Sequence, residues 1–177
     1  EPDTENTLLF FGNLSYRPNV DGVKHFCSHT YPEIQKQINQ VSLHIIGNQP
    51  ARVVQHLKRK PGVKITGWVP SLIEYIASVT AVVSPMRIGV GFPNKVAESL
   101  ALGKAVVCTD IGCRGLPGSD QVLLVAHNDK EFIQATVELL RDPDLRKQME
   151  KRAWTYARES INPNTALAAL DSVYAKL

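Results

Sequence analysis

The chain has 177 residues, of which 44% are hydrophobic and 21% charged, with a formal net charge of +3. That is one domain of ordinary size with material for a core; it excludes a disordered polar chain and is too weakly basic to imply a nucleic-acid partner. The longest apolar runs are strand-sized, far below a membrane span, and three cysteines without a CxxC spacing imply neither a zinc ribbon nor a disulfide framework.

The chain opens Glu1-Pro-Asp-Thr-Glu-Asn6, which is polar and acidic and does not read as a signal peptide. Residues 1–6 are expected to be a linker and the chain a piece of a longer protein. Leu8-Leu-Phe-Phe11 reads as a strand ending at Gly12-Asn13. From about Pro18 to Asn39, apolar Val20, Val23, Phe26 and Cys27 recur at helical spacing. Leu43 to Ile46 is a strand stopped by Gly47, and Arg52 to Lys60 a short helix ended by Pro61-Gly62. A strand at Val63 to Thr66 closes at Gly67. A helix over Leu72 to Ala77 and a strand over Thr80 to Val83 follow.

A helix is expected from Pro93 to Leu102, with Gly103 suited to end it. Ala105 to Cys108 and Val122 to Val125 complete about six strands, and Asp129 to Leu140 is a helix. Asp142 then Pro143 is an N-cap followed by proline at the first helical position, and Asn162-Pro163 repeats the device. The basic clusters Lys58-Arg59-Lys60 and Arg141 to Arg158 read as solvated helix faces. Strands without polar alternation, alternating with helices, predict a parallel sheet covered on both faces: a three-layer αβα, Rossmann-like α/β domain. Ligands of such sheets sit beyond the carboxyl ends of the strands. Most of the glycines fall in those turns.

The segment from Met86 to Thr109 carries the most chemistry. It joins Gly89-Val-Gly91 to a helix bearing Lys95 and Glu98 in its first turn. Glycines let a backbone come close to an anion, and a helix N-terminus offers free N–H groups to a phosphate. Lys95 and Arg87 are candidate phosphate cations, Arg87 being equally readable as a loop cation. Glu98 fits either a capping carboxylate or one that reads sugar hydroxyls. Trp68-Val69 could face a nucleobase or pack under a loop. Asn94 stands where a dinucleotide-binding GxGxxG turn needs its third glycine, and there is no GxxxxGK[ST] and no GxSxG. His25 and His29 have metal-ligand spacing but no third ligand close in sequence. No Cys/His nucleophilic set presents itself, and the cysteines are expected to be reduced.

These motifs together, with Phe10-Phe-Gly12-Asn-Leu-Ser-Tyr-Arg-Pro-Asn19, His44-Ile-Ile-Gly47, Val63-Lys-Ile-Thr-Gly67-Trp-Val69 and Lys95-Val-Ala-Glu98-Ser-Leu-Ala-Leu-Gly103, resemble the C-terminal, donor-binding half of a GT-B glycosyltransferase of group 1, or family 4. The resemblance runs nearly the full length. It implies one nucleotide-sugar-binding domain over 1–177. The segment 162–177 would dock on a missing N-terminal domain, supplied in cis or as a separate subunit, that holds the acceptor and part of the catalytic apparatus. It implies donor-diphosphate contacts from Gly91, Phe92 and the turn before the Glu98 helix, ribose contact from Glu98, and base contact from Trp68 and Val69. Lys95 and Arg87 would be phosphate cations, and Gly12 the first turn facing the other domain. The family's usual first Glu is here Val90, and its usual Arg and Lys after the first strand are here Asn13 and, approximately, Pro18 or Asn19, roles Arg17 or Arg87 could take. The substrate would be a UDP-, GDP- or ADP-sugar, with no metal and no other cofactor. The protein would be cytoplasmic or peripheral to the inner membrane face, touching membrane only through the acceptor or the missing half. The alternatives are a non-catalytic or degenerate donor-binding subunit, or a GT-B nucleotide-sugar epimerase.

Overall fold

Strands and helices alternate through residues 6–89 and 91–161, the residues described by the structure, a computed structural model. Val90, residues 1–5 of the expected 1–6 linker and the expected docking segment 162–177, with its Asn162-Pro163 helix start, lie outside them; Asn6, expected in the linker, instead opens β1. The strands are β1 (Asn6–Phe11), β2 (Val41–Ile46), β3 (Val63–Thr66), β4 (Ala81–Ser84), β5 (Val106–Thr109) and β6 (Leu124–Ala126). The helices are α1 (Arg17–His25), α2 (Tyr31–Gln37), α3 (Arg52–Gln55), α4 (Leu72–Ser78), α5 (Asn94–Ala101), α6 (Asp110–Cys113), α7 (Asp129–Arg141) and α8 (Pro143–Ser160). All strand pairs are parallel, in the order β3-β2-β1-β4-β5-β6.

Both faces of the sheet are covered, which is why its strands show no polar alternation. In β1 the side chains divide by parity. Leu8 and Phe10 join Val23, Phe26, Tyr31, Ile34 and Phe132 in one core. Leu9 and Phe11 join Ile76, Val96, Leu100, Ala153 and Tyr156 in the other. Helices α1, α2 and α7 therefore form one outer layer, and α4, α5 and α8 the opposite one. Lys104, nearly buried, closes the end of α4 by donating from Nζ to the carbonyls of Ala77 (3.0 Å) and Val79 (2.9 Å).

Three local expectations are corrected. The single helix expected from Pro18 to Asn39 is α1 and α2 joined by a wide π-helical turn at Phe26–Thr30. Pro32 follows directly; it has no N–H, and its ring would press on the carbonyl four residues back in an uninterrupted helix. The last strand begins two residues later than expected and ends one later, because Ser119–Gln121 forms a 3-10 turn and the register pairs Val107 with Leu124. The turn expected after β5 contains the short helix α6, capped by Thr109, whose Oγ1 accepts from the Gly112 N–H at 3.2 Å.

The device read at Asp142-Pro143 is present. Asp142 Oδ1 accepts from the N–H groups of Asp144 and Leu145, both at 2.9 Å, and Pro143 opens α8. Asp142→Ala is expected to destabilise the domain by ~1 kcal/mol, read as a lower urea midpoint at unchanged slope.

Candidate functional site

The chain turns in opposite directions from β1 and β4, which are neighbours in the sheet. Beyond their carboxyl ends the following turns diverge and leave a cleft of about 580 Å³. The turns after β1, β2, β3 and β4 and the start of α6 wall it. Its mouth carries Tyr16, Trp68, Ile88 and Phe92, all exposed. Trp68 is 71% exposed, so it is a projecting platform rather than a plug under its loop.

Of the residues singled out from sequence, Gly12, Asn13, Trp68, Val69, Gly89, Gly91, Phe92, Lys95 and Glu98 all line this cleft. Arg17 and Arg87 do not. Arg87 Nη1 instead points to Asp21 Oδ2 at 3.6 Å, beside a second hollow on the α1 side. Its placement just before Gly89 and Gly91 in sequence suggested a shared site; the loop turns its side chain the other way.

Lys95 is the residue most tightly held. Its Nζ donates to Asn19 Oδ1 at 2.7 Å, lies 3.5 Å from the Met86 sulfur and stands 4.0 Å above the Phe10 ring. All three partners are neutral. Burial pulls the Lys95 ammonium down to about 7, against the opposing pull of nearby Glu98. Glu98 shows the converse: desolvation raises its carboxyl, and Lys95 lowers it.

Asn19, which stands about where the family's usual Lys falls, was not among the expected site residues. It is 7% exposed and also donates from Nδ2 to the Asn13 carbonyl at 2.9 Å, tying the β1 turn to Lys95. Gly12 makes room for it: a Cβ there would lie 2.9 Å from Asn19 Nδ2, and the backbone has φ +141°. The signal available in the sequence was that position alone; the burial that shows its role, since polar groups are kept buried only when partnered, came with the fold. Arg114, Asn48 and Ser84 also line the cleft unannounced. The Ser84 Oγ is fully buried and has no hydrogen-bond partner among the described residues.

Helix α5 opens into the cleft. Its N-cap is Pro93, which accepts no side-chain bond and supplies no carboxylate, and its first turn holds no acid. Asn128 and Asp142, by contrast, cap α7 and α8 with their side chains. Lys95 is the second residue of α5; Glu98 lies one turn further in than the sequence suggested. Gly89 and Gly91, before it, have φ of +149° and +108°, where only glycine sits without strain, while a Cβ would meet nothing closer than 3.9 Å at the first and nothing within 4 Å at the second. Backbone conformation, not crowding, calls for glycine there. An uncapped helix start, a cation and a close-running backbone together suit an anionic group such as a diphosphate.

No group of three His, Cys, Asp or Glu side chains suited to a metal occurs among the described residues. His25 is occupied by Asp129, with Nε2 at 2.8 Å from Oδ2, and stacks on His29. No helix of the described residues is long and apolar enough to cross a membrane.

The sequence profile of the family described as glycosyl transferases group 1 matches residues 5–142. A curated relative from Campylobacter jejuni, N-acetylgalactosamine-N,N'-diacetylbacillosaminyl-diphospho-undecaprenol 4-alpha-N-acetylgalactosaminyltransferase, is 40% identical over 72 residues, which is 38% of this chain and 20% of that protein. The crystal structure of TarM superposes with a TM-score of 0.79 at 16% identity, over 98% of this chain and 36% of TarM. Anabaena HepE, solved in complex with UDP and glucose, superposes with a TM-score of 0.70 at 15% identity, over 98% of this chain and 49% of HepE. The chain thus spans half or less of these proteins, and the two structures share its fold.

Proposed function

This chain belongs to the glycosyl transferases group 1, and from that premise we propose that it binds the nucleoside-diphosphate sugar of a glycosyl-transfer reaction. The acceptor would be held by an N-terminal domain, in cis or as a separate subunit. What carries this reading is the Lys95 ammonium, held by neutral partners at the uncapped start of α5 and lining the cleft. In this reading the donor diphosphate lies against the Lys95 ammonium at the start of α5. Glu98 accepts from the ribose hydroxyls, and the turn Gly67-Trp68-Val69 borders the base.

The chemistry follows from that placement. As the bond from sugar to diphosphate breaks, negative charge grows on the leaving oxygen. A fixed ammonium and the positive end of the α5 dipole stabilise that charge more than the ground state. Protein groups supply this stabilisation in the proposed scheme, without a metal ion. Sugar transfer itself requires the acceptor half. The fold likeness to HepE, which was solved with UDP, makes UDP the first nucleotide to try.

A thermal-shift titration with UDP, GDP and ADP tests the reading. Binding to the folded state raises the melting temperature by mass action, so one diphosphate should give a concentration-dependent rise. Glu98→Gln should weaken that nucleotide roughly tenfold, the loss of one charged hydrogen bond, and leave inorganic diphosphate nearly unaffected. A melting temperature indifferent to all three nucleotides would sink the proposal for this domain.

A further inference from the structure

Three segments far apart in the chain meet at the side chain of Asn19, which lies in the first turn of α1 and is nearly buried. Both ends of its amide are used. Nδ2 donates to the Asn13 carbonyl at 2.9 Å, and Oδ1 accepts from Lys95 Nζ at 2.7 Å. A carbonyl only accepts and an ammonium only donates, so the amide has one orientation here. Asn13 is itself held: its carbonyl also takes the Tyr16 N–H at 3.3 Å, and its Oδ1 accepts from the Ser15 N–H at 2.9 Å and hydroxyl at 2.8 Å.

The frame around Asn19 has little room to move. A Cβ at Gly12 would lie 2.9 Å from Asn19 Nδ2. Three residues further along α1, a Cβ at Gly22 would lie 2.7 Å from the Pro85 carbonyl oxygen and 3.6 Å from Met86 Cα. Helix α1 is thus pressed against both the β1 turn and the loop after β4. Lys95 reaches that junction from α5, with the Met86 sulfur 3.5 Å from its Nζ.

The bond from Lys95 to Asn19 brings no counter-charge. Each element around the ammonium presents a neutral group: the Phe10 ring from β1, the Met86 sulfur from the β4 loop and the Asn19 amide from α1. Asp21, two residues on in α1, lies 3.6 Å from Arg87 instead. Glu98, on the same helix as Lys95, is the charged group that acts on the ammonium, and Arg114 lines the same cleft. Buried charges are ordinarily paired with an opposite charge. A carboxylate at position 19 would have the size of the amide, but it would be a built-in counter-ion competing with any anion that enters.

We propose that Asn19 is a positioning residue for the donor: it fixes the Lys95 ammonium at the cleft by an uncharged hydrogen bond and so leaves its charge to the diphosphate. This rests on the reading of the cleft as a nucleoside-diphosphate site. Direction comes from the amide and attraction from the lysine, and the two are separable by substitution.

The test is UDP binding by calorimetry in two buffers of different ionisation enthalpy, from about pH 6 to about pH 8, on the parent, Asn19→Asp and Asn19→Ala. Asn19→Asp should weaken UDP roughly 10- to 100-fold, because its carboxylate takes the ammonium. It should also lose the proton uptake and the pH dependence, since a paired Lys95 stays charged throughout. Asn19→Ala frees the ammonium without neutralising it, so affinity should fall roughly tenfold or less with the parent's pH dependence kept. Both variants lose the tie to Asn13, so a merely structural role would give them the same pH profile and losses that follow their melting temperatures. An Asn19→Asp variant with the parent's affinity or its pH profile overturns the proposal. So does an Asn19→Ala variant that binds UDP as tightly as the parent, which holds even if the aspartate variant does not fold. A parent that binds no nucleoside diphosphate overturns the reading of the cleft, and this role with it.

Discussion

Lys95→Met is expected to lower nucleoside-diphosphate affinity by roughly 10- to 100-fold, the range for one charged hydrogen-bonding contact, while leaving the melting temperature unchanged or raised. The two halves have one cause. In the fold, the contacts of the Lys95 Nζ among the described residues are an asparagine oxygen, a thioether and a ring, and burial, outweighing nearby Glu98, draws its pKa down to about 7 from 10.5. The unfolded chain therefore binds this proton more tightly than the folded one. Around neutral pH and below, the charge works against folding, and its effect fades as pH rises from about 7 toward 10.5. Methionine removes that penalty and keeps the stem over Phe10, at the expense of one donor to Asn19.

The same sign rule makes donor binding pH-dependent. An anion in the cleft favours the charged form of Lys95, so binding takes up protons. Affinity should be greatest below about pH 7 and should fall as pH rises through it, with a slope approaching tenfold per pH unit. Calorimetry in two buffers of different ionisation enthalpy reads the proton uptake directly. The Lys95→Met variant should show none. A variant that binds as tightly as the parent, or a parent affinity that stays flat between about pH 6 and about pH 8, would remove Lys95 from the diphosphate site.

Much of the fold was legible because its signals are local. Apolar runs such as Leu8 to Phe11 become strands wherever both faces are covered, and glycines at 12, 47 and 67 mark their carboxyl ends. The Asp142-Pro143 pair fixes a helix start within three residues of chain. The features that escaped depend on contacts between distant residues. Asn19 meets Lys95 across 76 positions, and only folding brings β1 beside β4. Arg87 sits among the right glycines yet leans toward Asp21, because the loop after β4 passes close over α1. The wide turn before Pro32 and the short helix α6 are likewise settled by neighbours: one by a proline that must be accommodated, the other by a threonine that caps it.

Gly47→Ala should be the most damaging small substitution in the chain, and it should damage the cleft along with the fold. A Cβ at Gly47 would come within 1.7 Å of the Gly12 carbonyl oxygen, 2.8 Å of its carbon and 3.0 Å of Leu14 Cγ. No side chain can yield there, since the first two obstacles are backbone. The β1 and β2 turns must then part, although Gly12 N–H is bonded to the Ile46 carbonyl at 2.9 Å and Leu14 N–H to the Asn48 carbonyl at 3.1 Å. Overpacking against fixed backbone destabilises by ~3 kcal/mol or more, which for a domain of this size is a fall of about 10 °C in melting temperature. The same displacement carries Gly12 and Asn13 away from Asn19, the residue that holds Lys95. Nucleoside-diphosphate affinity should therefore drop even at temperatures where the variant is fully folded. Asn48→Ala, on the same turn but free of that clash, should leave stability within about 1 kcal/mol. If Gly47→Ala melts within a degree or two of the parent, the two turns are not locked together, and Asn19 would have to be positioned by α1 alone.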